Sequence, residues 1–288
     1  MNTRKNHADM LPPEKAAFVA AVLLLKNKVD SVLNPGKMSR YDDFVQIHKN
    51  AMVHGPDMIM PMPHNGPLFF PWHRVLLRQF ELALQTAAGN TDIAIPYWNW
   101  ELSGTSTPFT DDFMGGDGDR AQGDRVVSGP FAFATKKFKI RVWDGTSGNA
   151  GLLREFGADP TAYLPTQKDH VSSALTKTPY SPGPNSWEQT CEGALHNPVH
   201  RWVGGNMALA TSPNDPIFFL HHCYIDLLWE RWRKQHPTSD PYLPASGAPG
   251  YDLTSTLVFN KAGKPAPWTG SWKVQDTLDT TKLGYTYA

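Results

Sequence analysis

The sequence predicts a mainly α protein, with a helical core, long irregular loops and a few short strands. Five stretches place apolar side chains at helical spacing, whereas the region from about Leu102 to Ser186 has no sustained period. Hydrophobic residues make up 40% of the 288 and charged residues 19%, with 23 glycines and 25 prolines, the composition of a folded, loop-rich chain. That length suffices for one large core, so a single domain over residues 1–288 is expected.

Leu11-Pro12-Pro13-Glu14 opens the first helix, because proline in a first turn forfeits no hydrogen bond, and Phe18, Val22 and Leu25 then share a face. Tyr41, Phe44 and His48 mark a second helix over about Arg40 to Val53. Three prolines in the segment Met60 to Pro67 forbid a regular helix and put His64 on a loop. A third helix is expected from Pro71 to about Thr86, with His73 in its first turn. Trp187 to Val203 and Ile217 to Lys234 read as two more, separated by Gly204-Gly205 and Ser212-Pro213-Asn214-Asp215-Pro216. Short strands are expected around Ser255 to Asn260 and Gly284 to Tyr287.

Twenty-seven basic residues balance 27 acidic ones, so there is no general field to gather nucleic acid or anionic lipid, and no nucleic-acid partner is expected. The longest apolar run, Ala16 to Leu25, is half of the roughly 20 residues a bilayer requires. It reads as a helix, with no membrane span and no evident signal peptide. The two cysteines, Cys191 and Cys223, allow at most one bridge and leave the compartment open.

Eleven histidines stand beside 10 tryptophans and 14 phenylalanines, which points to imidazoles in an aromatic box. His196 and His200 are four apart and can face one point. Pro198 between them would disrupt a helix interior, a cost that vanishes if Asn197 is the N-cap and Pro198 the first helical residue. His64 and His73 pair a stiff loop with a helix start, and His48 and His222 lie on helices. Two groups of three follow: His48, His64 and His73, then His196, His200 and His222. Neither has a well-placed carboxylate or thiolate. Two facing all-imidazole sites suggest a pair of coppers able to bind dioxygen between them; zinc, which also takes three histidines, is the competing metal. His7, His54, His170 and His236 have no convergent partners and read as surface or packing residues.

The segments HNGPLFFPWHR (His64 to Arg74), PYWNWE (Pro96 to Glu101), DFMGG (Asp112 to Gly116), LHNPVHRWVGG (Leu195 to Gly205) and SPNDPIFFLHHCYID (Ser212 to Asp226) resemble the bacterial tyrosinases, type-3 copper proteins. Tyr285-Thr286-Tyr287 resembles the Tyr-x-Tyr that closes the family's catalytic domain, so the likeness spans essentially the whole chain. It implies a helical bundle core holding a dicopper centre, with His48, His64 and His73 on one copper and His196, His200 and His222 on the other, His221 lying behind. It also implies a phenolic substrate and dioxygen, with monophenols hydroxylated at the ortho position and o-diphenols oxidised to o-quinones. Related alternatives are a catechol or o-aminophenol oxidase without efficient hydroxylation and, more remotely, a haemocyanin-like oxygen carrier.

Glu192 resembles the family glutamate that, with an asparagine matched here by Asn197, orients a water; Glu188 is an alternative upstream. Phe218, one turn before His222, resembles the phenylalanine that limits movement over the site. Asn206, Met207 and Ala210, after Gly205, are expected to line the entrance, and Arg201 to attract a substrate carboxylate or to pair with an acid. Asp226 is expected to orient Arg74 or a ligand imidazole. Some relatives crosslink a cysteine to the ligand matching His64; Met62 stands two residues before it here, and no crosslink is expected. Some bacterial relatives receive copper from a helper protein that accompanies export, so a copper-delivering partner is one expectation, with a cytoplasmic or helper-exported location.

Overall fold

A computed structural model describes residues 1–102, 104–143 and 151–288. Four long helices build the frame. Helix α1 (Pro12–Asn27) starts where the prolines placed it, with the Glu14 carboxylate accepting from the Leu11 N–H at 2.8 Å. Its apolar face, Phe18, Val22 and Leu25, packs against helix α3. Helix α2 (Arg40–Asn50) opens on a capping box between Ser39 and Asp42 and ends three residues earlier than its pattern suggested. Asp42 also meets Lys26 of α1 in a buried ion pair.

Helix α3 (Phe69–Ala88) begins two residues before Pro71, so His73 is its fifth residue and not part of its first turn. Pro71 still lies early enough that its missing N–H leaves no carbonyl unpaired. After α4 (Ser172–Ala174), a single turn, comes the clearest departure from expectation. Trp187 to Val203 is not one regular helix: α5 (Trp187–Thr190) passes into a π-helical stretch (Cys191–His196) and then α6 (Asn197–Val203). Asn197 is not an N-cap, because its φ of −60° and ψ of −39° are helical and its N–H donates to the Glu192 carbonyl, five residues back. Widening the turn lets the chain pass Pro198 without a break.

Helix α7 (Ile217–Gln235) packs against α3, and Phe80 stacks on Phe219 at the crossing. Strand β1 (Asn2–Arg4) pairs in parallel with β4 (Tyr285–Tyr287), close to the expected C-terminal strand, while β2 (Gly118–Asp119) and β3 (Arg125–Val126) form a small antiparallel pair. The strand expected at Ser255 to Asn260 reduces to one bridge, Thr256 with Lys273. Here side chains substitute for a ladder: Trp72 Nε1 donates to the Val258 carbonyl and Phe259 stacks on Trp72. No helix among the described residues is long and apolar enough to cross a membrane. Cys191 and Cys223 are unbridged and buried.

A buried charge cluster fixes α3 against α7. Asp226 accepts from Arg74 Nε and from the hydroxyls of Tyr285 and Tyr287, each at 2.6 Å, and Arg4 lies 3.7 Å away. Arg74 also donates to the Thr277 carbonyl and to Glu230. Burial alone would raise the Asp226 carboxyl, but Arg74 and Arg4 overcome that and hold it below the usual range. Asp226→Ala takes one buried carboxylate from two buried guanidinium groups, Arg74 keeping Glu230 and Arg4 keeping Glu81, so a loss of about 3 kcal/mol in unfolding free energy is expected from denaturant titration. Because Asp226 is depressed in the folded state, its contribution is present above the ordinary carboxylate pKa and disappears as pH falls through the folded value. The variant should accordingly lose less stability on acidification than the parent.

Candidate metal centre

Arg74 follows His73 and Asp226 lies one turn beyond His222, so the same clamp sets the register of two imidazole-bearing helices. His48 is held by α2, His64 by the loop before α3, and His73 by α3. The available ring nitrogens of these three lie within 4.8 Å of one another, and all three residues are buried. In the second half, His196 Nε2 and His200 Nε2 approach His222 Nε2 at 3.2 and 3.3 Å. The two groups face each other, with the rings of His73 and His222 stacked at 4.4 Å.

The other nitrogen of each ring decides which one is free. Nδ1 of His48 meets the Ala210 carbonyl at 2.8 Å, that of His73 the Phe69 carbonyl at 2.8 Å, and that of His200 the Met207 carbonyl at 2.8 Å. His64 reaches the Ala51 carbonyl at 3.4 Å, and His196 the side-chain oxygen of Asn197 at 2.9 Å. A carbonyl oxygen only accepts, so Nδ1 carries the proton in these five rings and Nε2 keeps its lone pair. Burial pushes His64 down to about 3 and His200 to about 4, and the other ligand candidates well below the ordinary value. All are therefore neutral at pH 7, the form that binds metal.

His221 also brings a nitrogen within 4.8 Å of His196 and His200. Distance alone thus favours no single member of the His221-His222 pair; hydrogen bonding separates them. Trp100 Nε1, which can only donate, points at His221 Nδ1 from 3.2 Å. In a neutral ring that leaves the proton on Nε2, so His221 offers no lone pair to the cavity. Its ring instead lies flat against His196, 5.2 Å between centroids. The fit to a metal rests on His222 Nε2 lying 3.2 and 3.3 Å from Nε2 of His196 and His200, separations that one cation at about 2.0–2.1 Å from each nitrogen spans.

A cavity of about 560 Å³ opens onto both groups, lined by His48, His64, His196 and His200 together with Glu192, Asn197, Arg201, Met207 and Ala210. Met52, Asn65 and Leu209 also line it and were not anticipated. For Asn65 the signal was available: Asn-Gly favours the left-handed conformation, and Asn65 adopts a φ of 56°. That turn aims its N–H at the Glu192 carboxylate, 2.9 and 3.0 Å from the two oxygens. Glu188, fully buried one turn back, has no hydrogen-bond donor on either oxygen. Burial raises both carboxyls, and their proximity adds to it for Glu192. Burial is the larger cause for Glu192, which is pushed up to about 9 although the Asn65 N–H pulls the other way.

Two expected lining residues lie elsewhere. Asn206 is buried with its side-chain oxygen accepting the Leu153 N–H at 2.8 Å, so it anchors the loop and does not face the cavity. Gly205 makes that anchorage possible, since a Cβ there would sit 2.2 Å from the Leu153 carbonyl oxygen. Phe218 is fully buried and packs on the rings of His222 and His48, 4.1 and 4.9 Å between centroids, so it restrains these side chains from behind. Arg201 is exposed along the cavity wall, bonded to Thr161 at 3.1 Å and 3.7 Å from Asp159.

A family model described as the common central domain of tyrosinase matches residues 38–235. The tyrosinase of Streptomyces antibioticus is 40% identical over 269 residues, covering 89% of this chain and 92% of its own. That of Streptomyces glaucescens is 40% identical, covering 98% and 97%. Grixazone synthase of Streptomyces griseus is 32% identical across 100% of this chain and 99% of its own. Among solved structures, a polyphenol oxidase variant from Thermothelomyces thermophila superposes with a TM-score of 0.73 at 22% identity, covering 100% of this chain and 89% of that one. Two facing imidazole clusters in this fold, and a sequence match that includes every cluster member, have one explanation: the chain belongs to the tyrosinase family of dicopper phenol oxidases.

Proposed function

We propose that His48, His64 and His73 hold one copper through Nε2, that His196, His200 and His222 hold the other, and that Glu192 with Asn197 manages the phenol's proton. The observation that supports the ligand set most directly is the common pattern of Nδ1 hydrogen bonds, which leaves Nε2 free in five rings, together with the approach of His222 Nε2 to two of them. When bound, the copper pair supplies the redox chemistry by which dioxygen hydroxylates a monophenol at the ortho position and oxidises an o-diphenol to the o-quinone. The protein's task is binding, orientation and proton handling.

A phenol of pKa near 10 resists ionisation at neutral pH by about 4 kcal/mol. A carboxylate of ordinary pKa is a poor base for it. Glu192 is better matched, because burial and the adjacent Glu188 carboxyl raise its proton affinity toward that of the phenol. Asn197 lines the same cavity as Glu192, with its side-chain oxygen on His196 Nδ1 and its amide group available to a water. The ring of an entering phenol passes Met52, Met207 and Leu209, and Arg201 is the cationic side chain of the lining. A copper-delivering helper protein is the further partner of this reading.

Oxygen uptake by the copper-reconstituted protein on tyrosine and on dopa tests the whole reading. Turnover of both supports hydroxylation and oxidation at one site. Turnover of dopa alone would make the protein a catechol oxidase, and uptake of oxygen without turnover of either a carrier.

A further inference from the structure

We propose that the loop joining His48 to His64 carries a third copper site, selective for Cu(I) and built on His54 and Met58, which captures the metal before it enters the cavity. This rests on the central site being a copper site. Four of the nine methionines, Met52, Met58, Met60 and Met62, fall between two imidazoles of the first cluster. Thioethers are soft donors that favour Cu(I) over zinc or hard cations. Their grouping is unlike an ordinary apolar packing pattern, because Met60 is 51% exposed and Met52 39%.

His54 Nδ1 lies 3.1 Å from Met58 Sδ, so an imidazole nitrogen and a thioether four residues apart are close enough to hold one ion between them when the ring carries its proton on Nε2. His54 is exposed and Met58 half-buried, which makes the pair accessible to metal from solvent. Both ends of the loop lead inward. Met52 lines the cavity beside His48 and His64, and its Cα can be no more than about 7 Å from that of His54. Met62 is half-buried two residues before His64. Met207 adds a further thioether to the cavity wall. A Cu(I) ion held at His54 and Met58 would therefore meet sulfur donors on its way to the all-imidazole centre, which binds it more tightly through three nitrogens.

The test is an anaerobic titration of the full-length apo protein with Cu(I), using bicinchoninate as competitor, and copper-edge X-ray absorption along the titration. The wild type is expected to take three equivalents and to show sulfur scattering as the third, weakest site fills. Met58→Leu and His54→Gln should each take two, lose the sulfur signal and load about fivefold more slowly from limiting Cu(I). Oxygen uptake by the fully loaded variants should match the wild type. A wild type that binds two equivalents with nitrogen scatterers alone, or variants that load at the wild-type rate, would overturn the proposal while leaving the dicopper centre intact. Failure of every protein to bind two equivalents would instead contradict the central copper reading, and this proposal with it.

Discussion

His222→Ala is expected to halve the copper content of the reconstituted protein and to lower oxygen uptake on monophenol and diphenol alike by well over about 100-fold. His221→Gln should keep two coppers and lose no more than the roughly 10–100-fold typical of a residue that only supports a ligand. The contrast follows from tautomers. Trp100 donates to His221 Nδ1, which commits that ring's Nε2 to a proton, whereas His222 Nε2 faces His196 and His200 at 3.2 and 3.3 Å. Adjacent histidines on one helix point about 100° apart, and α7 uses one to pack against His196 and the other to face the cavity. Copper analysis after gel filtration reads the metal content; the reverse order of the two variants would assign the ligand to His221.

The second large effect concerns the proton. Glu192→Gln removes the carboxylate without removing its shape, and should reduce monophenol hydroxylation by about 10²–10³-fold, the range of a general base. Diphenol oxidation, whose substrate ionises more readily, should fall by less than about tenfold. Glu188→Gln supplies an amide donor to Glu192 where a carboxyl stood. Glu192 is raised in the native protein by burial and by Glu188, so this change lowers its pKa and moves the acid limb of the hydroxylation profile to lower pH. Equal losses on the two substrates in Glu192→Gln, or an unmoved limb in Glu188→Gln, would contradict the proton role.

Much of this was legible in the residues because helical periodicity and proline placement are local. The openings of α1, α2 and α7 follow from Pro12, the helical spacing of Tyr41, Phe44 and His48, and Ile217 after Pro216, while the Ser39–Asp42 box that caps α2 was seen only in the structure. The imidazole groups were legible for the same reason: spacing on helices fixes which rings share a face. What could not be read depends on distant partners. The π-helical stretch before Pro198 is one of two ways to relieve the same clash, and sequence pattern pointed to the other, an N-cap at Asn197. Asn206 turns inward because Leu153, fifty-three residues earlier, offers its N–H. Trp100 and His221 are separated by still more chain, so the protonated nitrogen of His221 has no local signature. Strand β1 is three residues long and exists only through β4 at the opposite end of the sequence.

Anomalous diffraction at the copper edge from reconstituted crystals addresses the centre itself. Two peaks are expected in the cavity, one ringed by Nε2 of His48, His64 and His73 and the other by Nε2 of His196, His200 and His222. A single peak, a zinc edge in its place, or His221 in the ring would contradict the account.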